Sequence, residues 1–279
     1  MTGIKKLNDR PALLRNRART QPEALFLHRE AADEIAERLD EVNKSFTKPA
    51  LVGHVTTDLV ACFPDSVTVS DDERLSLRPS SHDLVVHAFA LHWADDPIGQ
   101  MVQSRLALVP DGLFIGVMFG GETLNELRTS LAEAEIKLTG GLSPRVVPMA
   151  DMRDLGGLLQ RAGFALPVAD SRKLTVRYLN MRALMHDLRG MGETNALIER
   201  RRAIPTRALF SEAEEIYAAH FADRDGYLRA TFELVYLTGW SPSDTQQKPL
   251  QPGSAQARLA DALGVDESRT GDPVTLRKR

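Results

Sequence analysis

Ala50-Leu51-Val52-Gly53-His54-Val55 and Asp83-Leu84-Val85-Val86-His87-Ala88-Phe89 are two apolar, β-prone runs, and only 33 residues separate Ala50 from Asp83. A strand–helix–strand unit takes about thirty residues. The interval therefore holds one crossover. Its content agrees: the spacing predicts a short helix from Thr57 to Phe63. A β-branched strand follows at Ser66-Val-Thr-Val-Ser70 and runs into Asp71-Asp72-Glu73.

Working outward, residues 22–43 read as an amphipathic helix. Leu27, Ala31, Ile35, Leu39 and Val42 recur at helical spacing between charges of mixed sign. Downstream, a helix is expected from Ile98 to Leu108, a turn at Pro110-Asp111-Gly112, and an apolar strand from Leu113 to Phe119 suited to cover on both faces. Thr123 and Glu126 have capping-box spacing ahead of Leu124, Leu127, Leu131, Ala134 and Leu138. A helix from Asp151 ends at Gly163, a C′ glycine. Strands are expected at Phe164–Ala169, Lys173–Tyr178 and Thr231–Leu237. Helices are expected at about 180–189, 195–203 and after Ser211, where Glu214 completes a second capping box. Strands alternating with helices give an α/β fold with a mostly parallel sheet and a late antiparallel edge. The domain reading is an N-terminal helical flank over 1–45, an α/β domain over 46–242 with a helical insertion at about 180–225, and a polar, disordered tail over 243–279.

The 279 residues carry 35 Lys+Arg against 38 Asp+Glu, a formal net charge of −3. That balance argues against a nucleic-acid binder driven by bulk charge. Cys62 is the only cysteine, so neither a disulfide framework nor a paired-cysteine metal site is available, and a cytoplasmic setting fits. No run reaches the eighteen or so apolar residues of a membrane span. The N-terminus has arginines at 10, 15, 17 and 19 but no signal-peptide core.

His82-Asp-Leu-Val-Val86, Leu91-His92-Trp93 and Val109-Pro-Asp-Gly112 with the strand after it resemble the fourth and fifth strands of class I S-adenosylmethionine-dependent methyltransferases. Phe119-Gly-Gly-Glu-Thr-Leu124, Gly141-Leu-Ser-Pro144, Arg161-Ala-Gly-Phe164, Gly190-Met-Gly-Glu-Thr-Asn195 and Leu237-Thr-Gly-Trp240 resemble one branch. That branch holds the mitochondrial complex I assembly factor described as an arginine hydroxylase, with its proteobacterial relatives. The resemblance covers about residues 10–245. It implies a Rossmann-like three-layer sandwich, S-adenosylmethionine as cofactor and a respiratory complex I subunit as partner.

Two departures stand against the cofactor. The family's Gly-x-Gly-x-Gly turn corresponds to Gly53-His-Val-Thr-Thr57, where Val55 and Thr57 replace the second and third glycines; β-branched residues resist the tight turn and take ligand space. Two crossovers, about sixty residues, normally separate the family's first and fourth strands. Here one βα unit is missing, and with it the second strand, whose last carboxylate binds the ribose. A rescue exists in which strand 66–70 lies directly beside strand 50–55 and Asp71 takes the ribose position. An altered working site and a retained fold with a lost site both stay open. The candidate cofactor residues are Gly53, His54, Asp71, Asp72, His87, His92 and Trp93. The functional readings are a methyltransferase-family protein, a non-catalytic complex I assembly protein, and a protein arginine hydroxylase. His54, His87 and one of Asp58, Asp71 or Asp72 form a weaker two-histidine, one-carboxylate suggestion for iron or zinc. The Gly120-Gly121-Glu122 turn is a candidate anion site or a plain strand-to-helix turn.

Overall fold

Residues 50–53 and 84–88 become neighbouring strands because each buries both its faces. The computed structural model describes residues 6–246. In chain order the elements are α1 (Arg10–Arg17), α2 (Phe26–Glu41), β1 (Pro49–Gly53), α3 (Thr57–Cys62), β2 (Val67–Val69), β3 (His82–Ala88) and α4 (Pro97–Ala107). They continue with β4 (Leu108–Phe119), α5 (Asn125–Thr139), α6 (Met152–Arg161), β5 (Ala165–Tyr178), α7 (Met181–Gly190), α8 (Arg207–Phe221) and β6 (Leu228–Trp240). The sheet order is β2-β1-β3-β4-β6-β5. The first four strands are parallel, and β6 and β5 run antiparallel at the other edge.

The period-two pattern sorts side chains into two cores. Leu51, Leu84, Val86, Ile115, Val117, Leu234 and Tyr236 join one core with α2, α5, α7 and α8. Ala50, Val52, Val85, Phe114, Met118, Val235 and Leu237 join the other with α4 and α6. Helices cover both faces, as the continuous apolar strands require. The expected shortening is present: Ala50 pairs with Val67 on one side and Val85 on the other, so no strand intervenes between β1 and β2.

Several local expectations are corrected. No helix forms at 195–203, because that segment is tied to the residues just ahead of α1: Leu197 bridges Asn8, and Arg200 and Arg202 pair with Asp9. Pro110-Asp111-Gly112 is not a turn ahead of the strand but lies inside β4, with Asp111 at φ 61°. The Thr123–Glu126 capping box is not used. Thr123 bonds the Glu233 backbone and Glu126 receives the Thr231 backbone and hydroxyl, both anchoring α5 to β6. Thr206, not Ser211, caps α8. Cys62 ends α3 but is exposed, because this short helix turns only Leu59 inward. Residues 164–178 form one long strand, not two. Beyond residue 246 the expected tail lies outside the described residues, and a separate unit begins at Asp244. Among the described residues no helix is long and apolar enough to cross a membrane.

Candidate functional site

Ligands of open α/β sheets gather at the carboxyl ends of the strands. Here β1 ends at Gly53, β2 leads into Asp71, β3 ends at Ala88, and β4 ends at Phe119. Gly53 has φ +104°, and a Cβ there would stand 2.4 Å from the Ala88 carbonyl and 2.7 Å from the Ala90 Cβ. The glycine serves close approach of β3, not of a ligand. The His54 amide donates to the Ala88 carbonyl at 2.9 Å, tightening the same junction.

Asp71 is 5% exposed. The N-terminal helix supplies its partners. Arg10 is bidentate, Nη1 to Oδ2 at 2.8 Å and Nη2 to Oδ1 at 2.7 Å. Arg17 Nη1 reaches both oxygens at 2.9 and 3.0 Å, and its Nη2 donates to the Phe89 carbonyl at 3.0 Å. Positions 10 and 17 lie two helical turns apart, on one face of α1. Burial opposes ionisation of Asp71, but the bonds and charges of the two arginines overcome it and hold the carboxyl well below its usual range. Asp72 is exposed and bonds Ser70 and Arg10.

Behind Arg17 the space is closed by rings. His28 of α2 lies 4.1 Å from Phe89 and 4.9 Å, edge-on, from His54. The cavity left among His28, His54, Thr56, Ala88 and Phe89 is about 10 Å³, about the room for one water. Burial pushes His28 down to about 3, and burial with the Arg17 charge pushes His54 down to about 4, so both are neutral at pH 7. His87 is fully buried, faces Gln100 Oε1 at 2.9 Å, and is pushed by burial to about 4. Gln100 turns its amide to the Asp71 carbonyl at 3.0 Å. His54, His87 and an aspartate therefore do not converge on a shared centre. Among the described residues no three His, Cys, Asp or Glu side chains are placed to hold a metal.

S-adenosylmethionine does not fit these residues. A ligand of that size needs several hundred Å³, the ribose-position carboxylate is already bound to two arginines, and the Gly53 turn faces a strand. Val55 and Thr57, expected to obstruct, are not the obstacle. Val55 packs on the main core and Thr57 is exposed at the start of α3. Arg17, His28 and His54 fill the place. The Gly120-Gly121-Glu122 turn is likewise occupied from within: Glu233 of β6 accepts the Glu122 amide at 3.0 Å.

The open space lies one step along the sheet edge. A chamber of about 730 Å³ is walled by Trp93, Phe119, Leu131, Met149, Phe210 and Phe232, under α5, α7 and α8. At its inner wall stands Glu193, from the turn after α7, with its side chain 6% exposed. Its Oε2 accepts Trp93 Nε1–H at 2.7 Å and lies 3.2 Å from His92 Nε2. Its Oε1 is buried with no partner. Burial raises the Glu193 pKa, but the charge and hydrogen bond of His92 and the Arg17 charge outweigh it, bringing it to about 2. His92 and Trp93 thus form the partition between the closed cradle and the open chamber.

The sequence reading missed Arg10, Arg17, His28 and Glu193. Spacing could have exposed the first two as a pair on one helix face. The motif Gly190–Asn195 carries the resemblance, but nothing in it indicates an inward carboxylate. For His28, on an amphipathic helix, no signal was present.

No family model matches the chain. It is 38% identical to the mitochondrial arginine-hydroxylase NDUFAF5 of Danio rerio over 82% of this chain and 69% of that protein. It is 39% identical to the Homo sapiens protein of the same name over 71% of this chain and 57% of that protein. Malonyl-[acyl-carrier protein] O-methyltransferase of Laribacter hongkongensis is 32% identical over 67% of this chain and 61% of that enzyme. Among solved structures, a phosphoethanolamine N-methyltransferase of Haemonchus contortus superposes with a TM-score of 0.40 at 12% identity, over 78% of this chain and 53% of that one.

Proposed function

The chain belongs to the family of the mitochondrial arginine-hydroxylase NDUFAF5, and from that membership we propose that it binds an arginine-bearing segment of a respiratory complex I subunit during assembly, and does so without S-adenosylmethionine. The observation that carries the second half is the Arg10–Asp71–Arg17 cluster. It places two guanidinium groups of the chain's own first helix where the resemblance puts a cofactor ribose. In the first half, the arginine is supported by the names of the relatives and by the open chamber beside that closed cradle, and the complex I subunit by the resemblance carried by motifs such as Gly190–Asn195.

The retained fold and the relation to methyltransferases make a methyl-transfer label natural, but fold alone carries no activity. The test has two arms. Tagged full-length protein expressed in its own cells is captured and its partners are identified by mass spectrometry; the reading predicts a complex I subunit among them. The same preparation is titrated with S-adenosylmethionine. Recovery of no complex I subunit counts against the partner, and saturable micromolar cofactor binding counts against the cofactor-free reading.

A further inference from the structure

Glu193 lines a largely apolar chamber, and its Oε1 is a buried acceptor without a partner among the described residues. Leaving such a lone pair unpaired is costly, so a donor brought to it gains more than an exposed hydrogen bond would. The walls before it are hydrocarbon and aromatic. A group that suits both is a donor head on an aliphatic stem, which describes an arginine side chain.

The rim adds a condition. Arg182, His186 and Arg189 of α7 line the chamber and are exposed. They fall at i, i+4 and i+7, one stripe of the helix. Neither arginine side chain has a hydrogen bond or ion pair among the described residues, whereas Arg145, also on the rim, is paired with Glu135 at 2.7 Å. Behind the wall Arg10 and Arg17 are paired with Asp71 and leave no free carboxylate there. A bare cation entering would gain the Oε1 bond but meet two unpaired arginines at the mouth. Acidic residues beside that cation turn the repulsion into attraction.

We propose that the chamber binds an arginine flanked by acidic residues, with Glu193 receiving the guanidinium and Arg182 and Arg189 receiving the flanking carboxylates. This rests on the arginine-directed reading above and adds a receiving residue and a sequence preference to it.

The test is fluorescence anisotropy on the full chain. The probe is a short fluorescein-labelled peptide with one arginine between leucines and two glutamates after it. Companion peptides replace the arginine by citrulline or lysine, or the glutamates by glutamine. The expected result is that the parent peptide binds at least about tenfold tighter than each companion, the step expected for a charge-assisted hydrogen bond or a matched charge pair. Glu193→Gln should remove the preference for arginine over citrulline. Arg182→Gln with Arg189→Gln should remove the preference for glutamate over glutamine; both side chains are exposed, so this variant keeps the fold. If the parent and the glutamine peptide bind equally while arginine is still preferred to lysine, the acidic-flank proposal is overturned and the arginine reading stands. If arginine, citrulline and lysine peptides bind alike, both fall.

Discussion

Asp71 is the residue on which the site turns. It was legible in the sequence as the acid after a short β-branched strand, and its position beside β1 follows from the length of the crossover. Its partners were not legible, because nothing in an Arg-rich helix says which acid it will meet. Removing one member of a buried ion pair leaves charge uncompensated and costs about 3–5 kcal/mol. Asp71→Ala strands Arg10 and Arg17 together, so urea unfolding should show a loss in that range. A triple replacement of Arg10, Asp71 and Arg17 by apolar residues should recover much of it, because the desolvation cost leaves with the charges. His28 gives a second prediction at this scale. It is 3% exposed, neither ring nitrogen has a partner among the described residues, and it packs on Phe89. A histidine whose folded pKa is depressed contributes stability that is complete above its unfolded value of about 6.5 and is lost as pH falls toward the folded value. With His28 at about 3 and His54 and His87 at about 4, each should cost about 1.4 kcal/mol per pH unit between pH 6 and 4.5. His28→Phe removes one of the three. Denaturation midpoints across that window should fall less steeply than in the wild type; an unchanged slope would show that His28 is not buried neutral.

At the scale of elements, the junction of β1 and β3 is built on Gly53. The resemblance reads this glycine as a ligand turn, whereas here the Ala88 carbonyl occupies the space a Cβ would need. Gly53→Ala therefore strains the strand pair whatever ligand is present. A loss of about 3 kcal/mol, comparable to other overpacking and positive-φ defects, should lower Tm by roughly 6–12 °C for a chain of this size. Calorimetry measures it, and a shift under a degree would mean the strands do not meet this closely. The strands themselves were legible: β3 and β4 carry unbroken apolar runs, and 33 residues permit one crossover. Helix starts were less legible. Capping residues are polar groups that bond whatever comes near, and at Thr123, Glu126 and Ser211 tertiary partners or an earlier cap displaced the local pattern. The segment 195–203 has helical spacing, yet Asp9 and Asn8 hold it in a bridge at Leu197 followed by a turn. Such long-range pairings leave no trace in a window of neighbouring residues.

Across the whole molecule, one feature unites these observations. In the six-stranded sheet β1 lies directly between β2 and β3, and the chain fills the place beside that edge with its own first two helices. The two arginines of α1 bind the displaced acid, His28 of α2 closes the ring stack, and the open volume shifts past Trp93 to the chamber at Glu193. A chain arranged in this way is proposed to work without S-adenosylmethionine. Isothermal titration of S-adenosylmethionine into the full-length protein at pH 7.5 tests it most directly. No saturable heat is expected up to millimolar ligand; a one-to-one isotherm with a micromolar Kd would overturn the cofactor-free reading.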